Sequence, residues 1–253
     1  MTKQLLVFLV AFSVHSFGAA QIVSIKESGA IQAANGWQDI IQNHSASPIV
    51  ALHATFSCNE EDGSRHTDIN GSMDSIFQFG HDSAIPPGGS YAASVFGHAQ
   101  CSGNAVDVVI FADGHIEGDV QKANAMYQRR RGAYMALTIT IPLLNTIASQ
   151  GATPQDVIQI LQDRSKTLSN DKTLSGEETV GESFVFSTTI TLLKSQFTVR
   201  TPSDFTPNRQ PHIKDLAKEK NISLQQAHAA VLMNKFMEWK SALEGNTEIP
   251  EGQ

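Results

Sequence analysis

A β-hairpin is predicted by the segment Val106-Asp-Val-Val-Ile-Phe-Ala-Asp-Gly-His-Ile-Glu-Gly118. Its apolar run ends at an Asp-Gly pair, where Gly114 is expected to adopt the positive φ that a tight hairpin turn needs. Immediately after Asp119 the apolar residues recur every three or four positions, which is the period of an α-helix. This change of period predicts an α+β chain, with strands before residue 120 and helices after it.

The first half of the chain contains further runs of strand length, separated by turn-forming Gly, Pro, Asn and Asp residues. Short apolar runs at this spacing are typical of two packed antiparallel sheets. We therefore predict an antiparallel β-sandwich over residues 21–120, with strands at residues 22–25, 37–42, 49–56, 75–79, 91–96 and 106–111.

The second half is predicted to be mainly helical over residues 121–200. Pro142 is expected to kink or divide the first helix, because proline removes a backbone donor and clashes with the preceding turn. Residues 170–182 have the composition of a polar loop. Residues 184–197 are apolar and rich in β-branched residues, and we predict helix over strand for them.

The remaining residues divide into three parts. Three prolines indicate an extended connector over residues 201–222. Ser223 and Gln226 form a capping-box pattern at the start of a helix over residues 223–244. Residues 245–253 are predicted to be a flexible tail.

The N-terminus has the pattern of a cleavable secretory signal peptide over residues 1–20. Lys3 supplies a positive charge, residues 5–12 are continuously apolar, and Gly18-Ala-Ala20 offers small residues at the cleavage site before Gln21. The sequence therefore predicts an exported protein, periplasmic or secreted.

The chain has two cysteines, Cys58 and Cys101. Export places them in an oxidising compartment, which favours a disulfide bond between them.

Metal binding is an alternative reading of the β-rich half. His53 and His98 stand near the two cysteines at spacings compatible with zinc, which competes with the disulfide for the same sulfurs. Asp68 and Asp74 flank a glycine in the manner of a calcium loop, but the bidentate Glu of a complete loop is missing. We predict no cofactor, with zinc or calcium at these four residues as the alternative.

Charge and motifs narrow the range of functions. The net charge of −7 disfavours nucleic-acid binding, and the only basic cluster, residues 129–131, is predicted to be a solvated helix face. The sequence contains no Gly-x-Ser-x-Gly, His-Glu-x-x-His or phosphate-loop motif, which favours a protein that is not an enzyme. Residues 132–151 carry no charge, but the polar residues and Pro142 among them favour an amphipathic helix over a membrane span.

Three segments support a resemblance. Asn43-His-Ser-Ala-Ser-Pro-Ile-Val-Ala51, Ile85-Pro-Pro-Gly-Gly-Ser90 and Val108-Val-Ile-Phe-Ala-Asp-Gly-His-Ile-Glu-Gly-Asp119 resemble a group of uncharacterised exported bacterial proteins of acidobacterial type. The resemblance implies an immunoglobulin-like sandwich followed by a helical region, and it implies no activity and no catalytic residues.

These observations predict an exported, non-catalytic β-sandwich protein that binds a partner, possible partners being proteins of the cell envelope or outside the cell. The first alternative is a metal-binding protein or metal-assisted hydrolase that uses the histidine-rich β region. The second is a membrane-associated assembly subunit, for which residues 132–151 would provide the contact.

Overall fold

The computed structural model describes the chain from residue 22 to residue 250, with gaps. The predicted signal peptide and its cleavage site lie outside the described residues. Antiparallel sheets form the N-terminal part and five helices are described in the C-terminal part, so the predicted α+β class is confirmed. The described residues are 22–29, 31–33, 36–59, 66–78, 84–96, 100–168, 170–195 and 210–250.

The first sheet is built around a central strand. The strands β1 and β2 pair with opposite ends of β3, and β6 pairs with most of its length, all of them antiparallel. Their bounds are β1 Ile25–Glu27, β2 Ile31–Ala33, β3 Gly36–Asn43 and β6 Ser90–Phe96.

The second sheet has the strand order β5-β4-β7-β8. It contains the predicted hairpin, in which Gly114 has a φ of +87° at the turn between β7 and β8. Its bounds are β4 Ile49–Asn59, β5 His66–Asp74, β7 Gln100–Phe111 and β8 Ile116–Gly118.

Two predicted strands are displaced: the one predicted at residues 22–25 is β1, which begins only at Ile25, and the one predicted at residues 75–79 is not a strand over its described residues. Residues 75–78 form a turn, and the strand lies just before them, as β5. Ser75 starts the turn because its backbone N–H and its hydroxyl both donate to the Val50 carbonyl oxygen, which anchors the chain as it leaves the sheet.

The two sheets share one apolar core. Ile41 of the first sheet lies in the same buried cluster as Leu52, Phe56 and Val109 of the second, and all four are at most 1% exposed. Burial of such side chains contributes about 1.5–3 kcal/mol each.

The predicted disulfide has the required geometry. Cys58 of β4 and Cys101 of β7 are directly opposite each other, and their sulfurs are 2.02 Å apart. Both residues are buried, so the bond is shielded from solvent.

The first helix runs without a break through Pro142, although the sequence predicted a kink or a division there. Asp119 caps it by accepting from the backbone N–H groups of Gln121 and Lys122. The bounds of the five helices are α1 Val120–Gln150, α2 Pro154–Leu168, α3 Gly176–Lys194, α4 Gln210–Glu219 and α5 Leu224–Leu243.

The bounds of helices α3 and α4 differ from the sequence-based prediction. Helix α3 starts within the predicted polar loop, because Ser175 and Glu178 form a capping box, and it confirms helix for residues 184–194. Helix α4 occupies the end of the predicted extended connector, with Pro211 in its first turn, where proline is tolerated. After α5, Ile249 packs against the cluster between the second sheet and α1.

The turn at residues 75–78 joins the sheets to the helices. Phe77 enters the main helical core, where its ring is 5.0 Å from that of Phe184. Close by, the indole N–H of Trp239 donates to the carbonyl oxygen of Ile76 at 3.1 Å. We call residues 74–78 the plug, because they carry an aromatic side chain from the sheet into the helical core.

Helices α1 and α3 approach each other at two glycines. A side chain on Gly132 would collide with the backbone of Glu178, and one on Gly181 with the backbone of Arg129. Glycine is therefore required at both positions for this separation of the helices.

Within the described residues, α1 alone is long and apolar enough to span a membrane by length and composition. In this structure it is a core helix, since Leu137, Leu144 and Ile147 lie in the main helical cluster.

Candidate functional site

The three arginines at residues 129–131 are ion-paired to neighbouring elements, and the prediction of a solvated helix face is wrong for Arg130, which is fully buried. Arg129 pairs with Glu177, and Arg131 Nε donates to Glu178 Oε1 at 2.5 Å. Both acids belong to the first turn of α3. Arg129 and Arg131 therefore tie α1 to α3 through ion pairs within the protein.

Arg130 is fully buried and pairs with Asp74, the first residue of the plug. Its Nε lies 2.9 Å from Asp74 Oδ2, and its Nη2 donates to Oδ1 at 3.0 Å. The same Oδ1 accepts the backbone N–H groups of Ile76 and Phe77. Asp74 thus fixes the plug and neutralises a buried cation at once.

This arrangement bears on the candidate calcium ligands. Residues 68–74 are not a loop but part of strand β5, and the Asp74 carboxylate is occupied by Arg130. Asp68 also lies in strand β5, and its side chain is not among those that the structure describes.

Of the candidate zinc ligands, His53 is paired with an acid. His53 Nδ1 lies 2.6 Å from Asp107 Oδ2, and the Thr55 hydroxyl donates to the same oxygen at 2.7 Å. The two cysteines are joined to each other, and His98 lies outside the described residues. No group of three metal-ligating side chains occurs among the residues that the structure describes.

A cleft of about 370 Å³ lies at one end of the two sheets. It is lined by Ser24, residues 45–48, Phe111, Asp113 and His115. Its walls come from the N-terminal segment, the β3–β4 loop and the β7–β8 turn. We call it the loop-end cleft.

The wall formed by the β7–β8 turn is ordered by local contacts. The His115 ring stacks on Phe111 with 5.6 Å between ring centres, and the His115 backbone N–H donates to Asp113 Oδ1. Pro250 packs beside Gly114 at the tip of the turn. The His115 side chain is 55% exposed, and its Nε2 lies 3.5 Å from Glu117 Oε1.

The N-terminal wall is held by Glu117, whose side chain is 8% exposed. The backbone N–H groups of Val23 and Ser24 both donate to Glu117 Oε2, at 2.9 and 3.0 Å, and the Ser24 hydroxyl donates to Oε1. Burial alone would raise the pKa of Glu117, but these hydrogen bonds outweigh it and hold the pKa below its ordinary value. The carboxylate therefore stays ionised and clamps the first residues of the described chain.

Sequence reasoning did not find this cleft. Its lining residues are 91 positions apart at the extremes and carry no shared motif. The one local signal was the Asp-Gly turn, which predicted the hairpin but not what faces it.

Searches against known protein families, curated proteins and solved structures found no match to this chain.

Proposed function

We propose that this protein is an exported binding protein that recognises its partner at the loop-end cleft. The observation that carries this proposal is the construction of the cleft: three separate chain segments converge on an open cavity, and two of them are held by contacts within the protein. Glu117 holds the N-terminal segment, and the stacked Phe111 and His115 rings hold the turn. A site ordered before its ligand arrives loses less entropy on binding.

The strand order supports an immunoglobulin-like sandwich for the first half. In that fold the second and third strands, and the last two strands, are joined by loops at the same end, and these loops recognise ligands in variable domains. Here β1 and β2, which pair with the two ends of β3, together take the place of the first strand, so β3 and β4 correspond to the second and third strands. The β3–β4 and β7–β8 connections then occupy the corresponding positions, on either side of the cleft. This correspondence favours recognition at that end.

Export is part of the same proposal. It rests on the signal-peptide pattern of residues 1–20 and is supported by the buried Cys58–Cys101 bond, since disulfides form and persist in oxidising compartments. Mass spectrometry of the protein recovered outside the cytoplasm should give a chain that begins at Gln21, with its N-terminal glutamine free or cyclised to pyroglutamate. Recovery of the unprocessed chain from the cytoplasm would contradict export.

Binding at the cleft is tested by photo-crosslinking in the cells that make the protein. A photoreactive phenylalanine analogue replaces Asp113 at the rim, and a matched variant carries it at Asp163, an exposed acid of α2. We expect a discrete crosslinked partner from position 113 and none from position 163. The absence of any adduct at position 113, or the same adducts at both positions, would contradict the proposed site.

The metal-binding alternative is tested by elemental analysis of protein purified without an affinity tag. Stoichiometric zinc or calcium would favour that alternative over the proposal.

A further inference from the structure

A row of polar side chains crosses the outer face of the second sheet, the face that also packs against α1. Ser72 lies on β5, His53 on β4 and Asp107 on β7, which are three neighbouring strands. We propose that Ser72, His53 and Asp107 form a nucleophile, base and acid that hydrolyse carboxylic esters. This goes beyond the proposed binding function and departs from the expectation of a non-catalytic protein.

The strand register places these residues side by side. Ser72 is directly opposite His53 in the β4–β5 pair, and residues so placed have Cβ atoms about 4.5–5.5 Å apart. On the other side of His53, the ladder is interrupted between His53 and Ala54, where Asp107 is the extra residue of β7. This bulge turns the Asp107 carboxylate towards the imidazole, at 2.6 Å from Nδ1.

The contacts fit the order of groups in a serine hydrolase. Because Asp107 is bonded to Nδ1, Nε2 is the ring nitrogen left to accept a proton from a nucleophile. Asp107 is itself fixed by the Thr55 hydroxyl. No hydrogen bond joins Ser72 to His53 in the structure, and such bonds are often long before substrate binds.

Burial also divides these residues as the chemistry requires. His53 is 7% exposed, whereas Ser72 is exposed. The base is shielded from water while the nucleophile is open to a substrate.

Asn70 supplies a donor for the developing negative charge. It is exposed two residues before Ser72, on the same face of β5. Its amide oxygen lies 3.4 Å from Thr55 Oγ1, whose single proton is donated to Asp107, and the amide N–H groups are the donors that an ester oxygen would accept.

The reaction proceeds in two steps. Ser72 Oγ adds to the ester carbonyl carbon while its proton passes to His53 Nε2, and the bond to the leaving alcohol breaks as His53 returns that proton to it. Water then adds to the acyl-serine in the same way, releasing the carboxylic acid and restoring the serine hydroxyl.

The test uses the mature full chain with a fluorophosphonate probe and p-nitrophenyl butyrate. We expect mass spectrometry to find the probe on Ser72, and Ser72→Ala to lose both labelling and hydrolysis. Loss of the base in His53→Asn should lower the rate by about 10²–10⁴-fold. Asp107→Asn should lower the rate and change its pH profile, since Asp107 acts by positioning His53.

The matched control is Ser187→Ala, which removes an exposed serine hydroxyl on α3 and should change neither reading. Circular dichroism checks that each variant is folded. The proposal would be overturned if Ser72 stayed unmodified at probe concentrations that label a reference serine hydrolase. Hydrolysis unchanged in Ser72→Ala would overturn it as well, and neither result bears on the loop-end cleft.

Discussion

The ion pair between Asp74 and Arg130 gives the sharpest prediction about how the two halves are held together. We consider Arg130→Met, which keeps a long unbranched side chain, and Asp74→Asn, which keeps an oxygen for the two backbone donors of the plug. Arg130→Met leaves the Asp74 carboxylate buried without its cation. Asp74→Asn leaves the Arg130 guanidinium buried without its anion.

The magnitude follows from the contacts. Arg130 is fully buried and makes three hydrogen bonds to Asp74, at 2.9 to 3.2 Å. Removal of one partner of a buried pair costs about 3–5 kcal/mol, chiefly because the other is stranded in a low dielectric. The double variant leaves neither charge unpaired. Its loss of unfolding free energy should therefore be smaller than the sum of the two single losses by up to about 3 kcal/mol.

Urea denaturation followed by tryptophan fluorescence measures these losses, because Trp239 is bonded to the plug beside Asp74. For a slope of about 2 kcal/mol/M, each single variant should lower the midpoint by about 1.5–2.5 M. Lys166→Met on α2 is the control, since its exposed pair with Asp163 should not matter measurably. Single-variant losses below about 1 kcal/mol, or strictly additive losses, would refute the reasoning.

Three other changes have expected outcomes. Replacement of both Cys58 and Cys101 by alanine should lower the unfolding free energy by about 3–4 kcal/mol in the chain-entropy account, and a Tm unchanged in calorimetry would contradict it. The pKa of folded Glu117 lies below its ordinary value of 4.5, so the ionised carboxylate adds stability above pH 4.5 that is lost as pH falls through the folded pKa. Glu117→Gln should remove this contribution, and parallel stability curves of the variant and the natural protein between pH 3 and 6 would argue against the clamp. Gly132→Ala should cost about 1–3 kcal/mol by pushing α1 from α3, whereas Gly176→Ala, which meets open space, should slightly favour the helix. Equal effects of the two substitutions on Tm would count against the close approach.

The parts of the fold that sequence predicted well are those with local causes. The hairpin at residues 106–118 is determined by an apolar run and an Asp-Gly turn, and the start of α1 by the change of period at Asp119. Helix was predicted over strand for the apolar residues 184–197, and residues 184–194 are helical. In each case the residues that decide the structure are neighbours in the chain.

The failures share a different cause, which is that the deciding partner is distant in sequence. Arg130 reads as a solvated cation until Asp74, 56 residues earlier, is placed against it. Asn70-Gly71-Ser72 has a loop composition, and it becomes a strand because β4 supplies its partner ladder. The loop-end cleft and the row at His53 likewise exist only after separate strands and loops have come together.

Phe77 limits how this chain can be divided. A gene fragment ending at residue 119 would encode both sheets, yet Phe77 and the apolar outer side chains of Val108 and Ile110 would then face water. Such a fragment is expected to aggregate, because exposed apolar patches associate. The two sheets are therefore not expected to fold as an independent domain when fused to unrelated proteins. Insertions, deletions and recombination in this lineage should preserve both halves together.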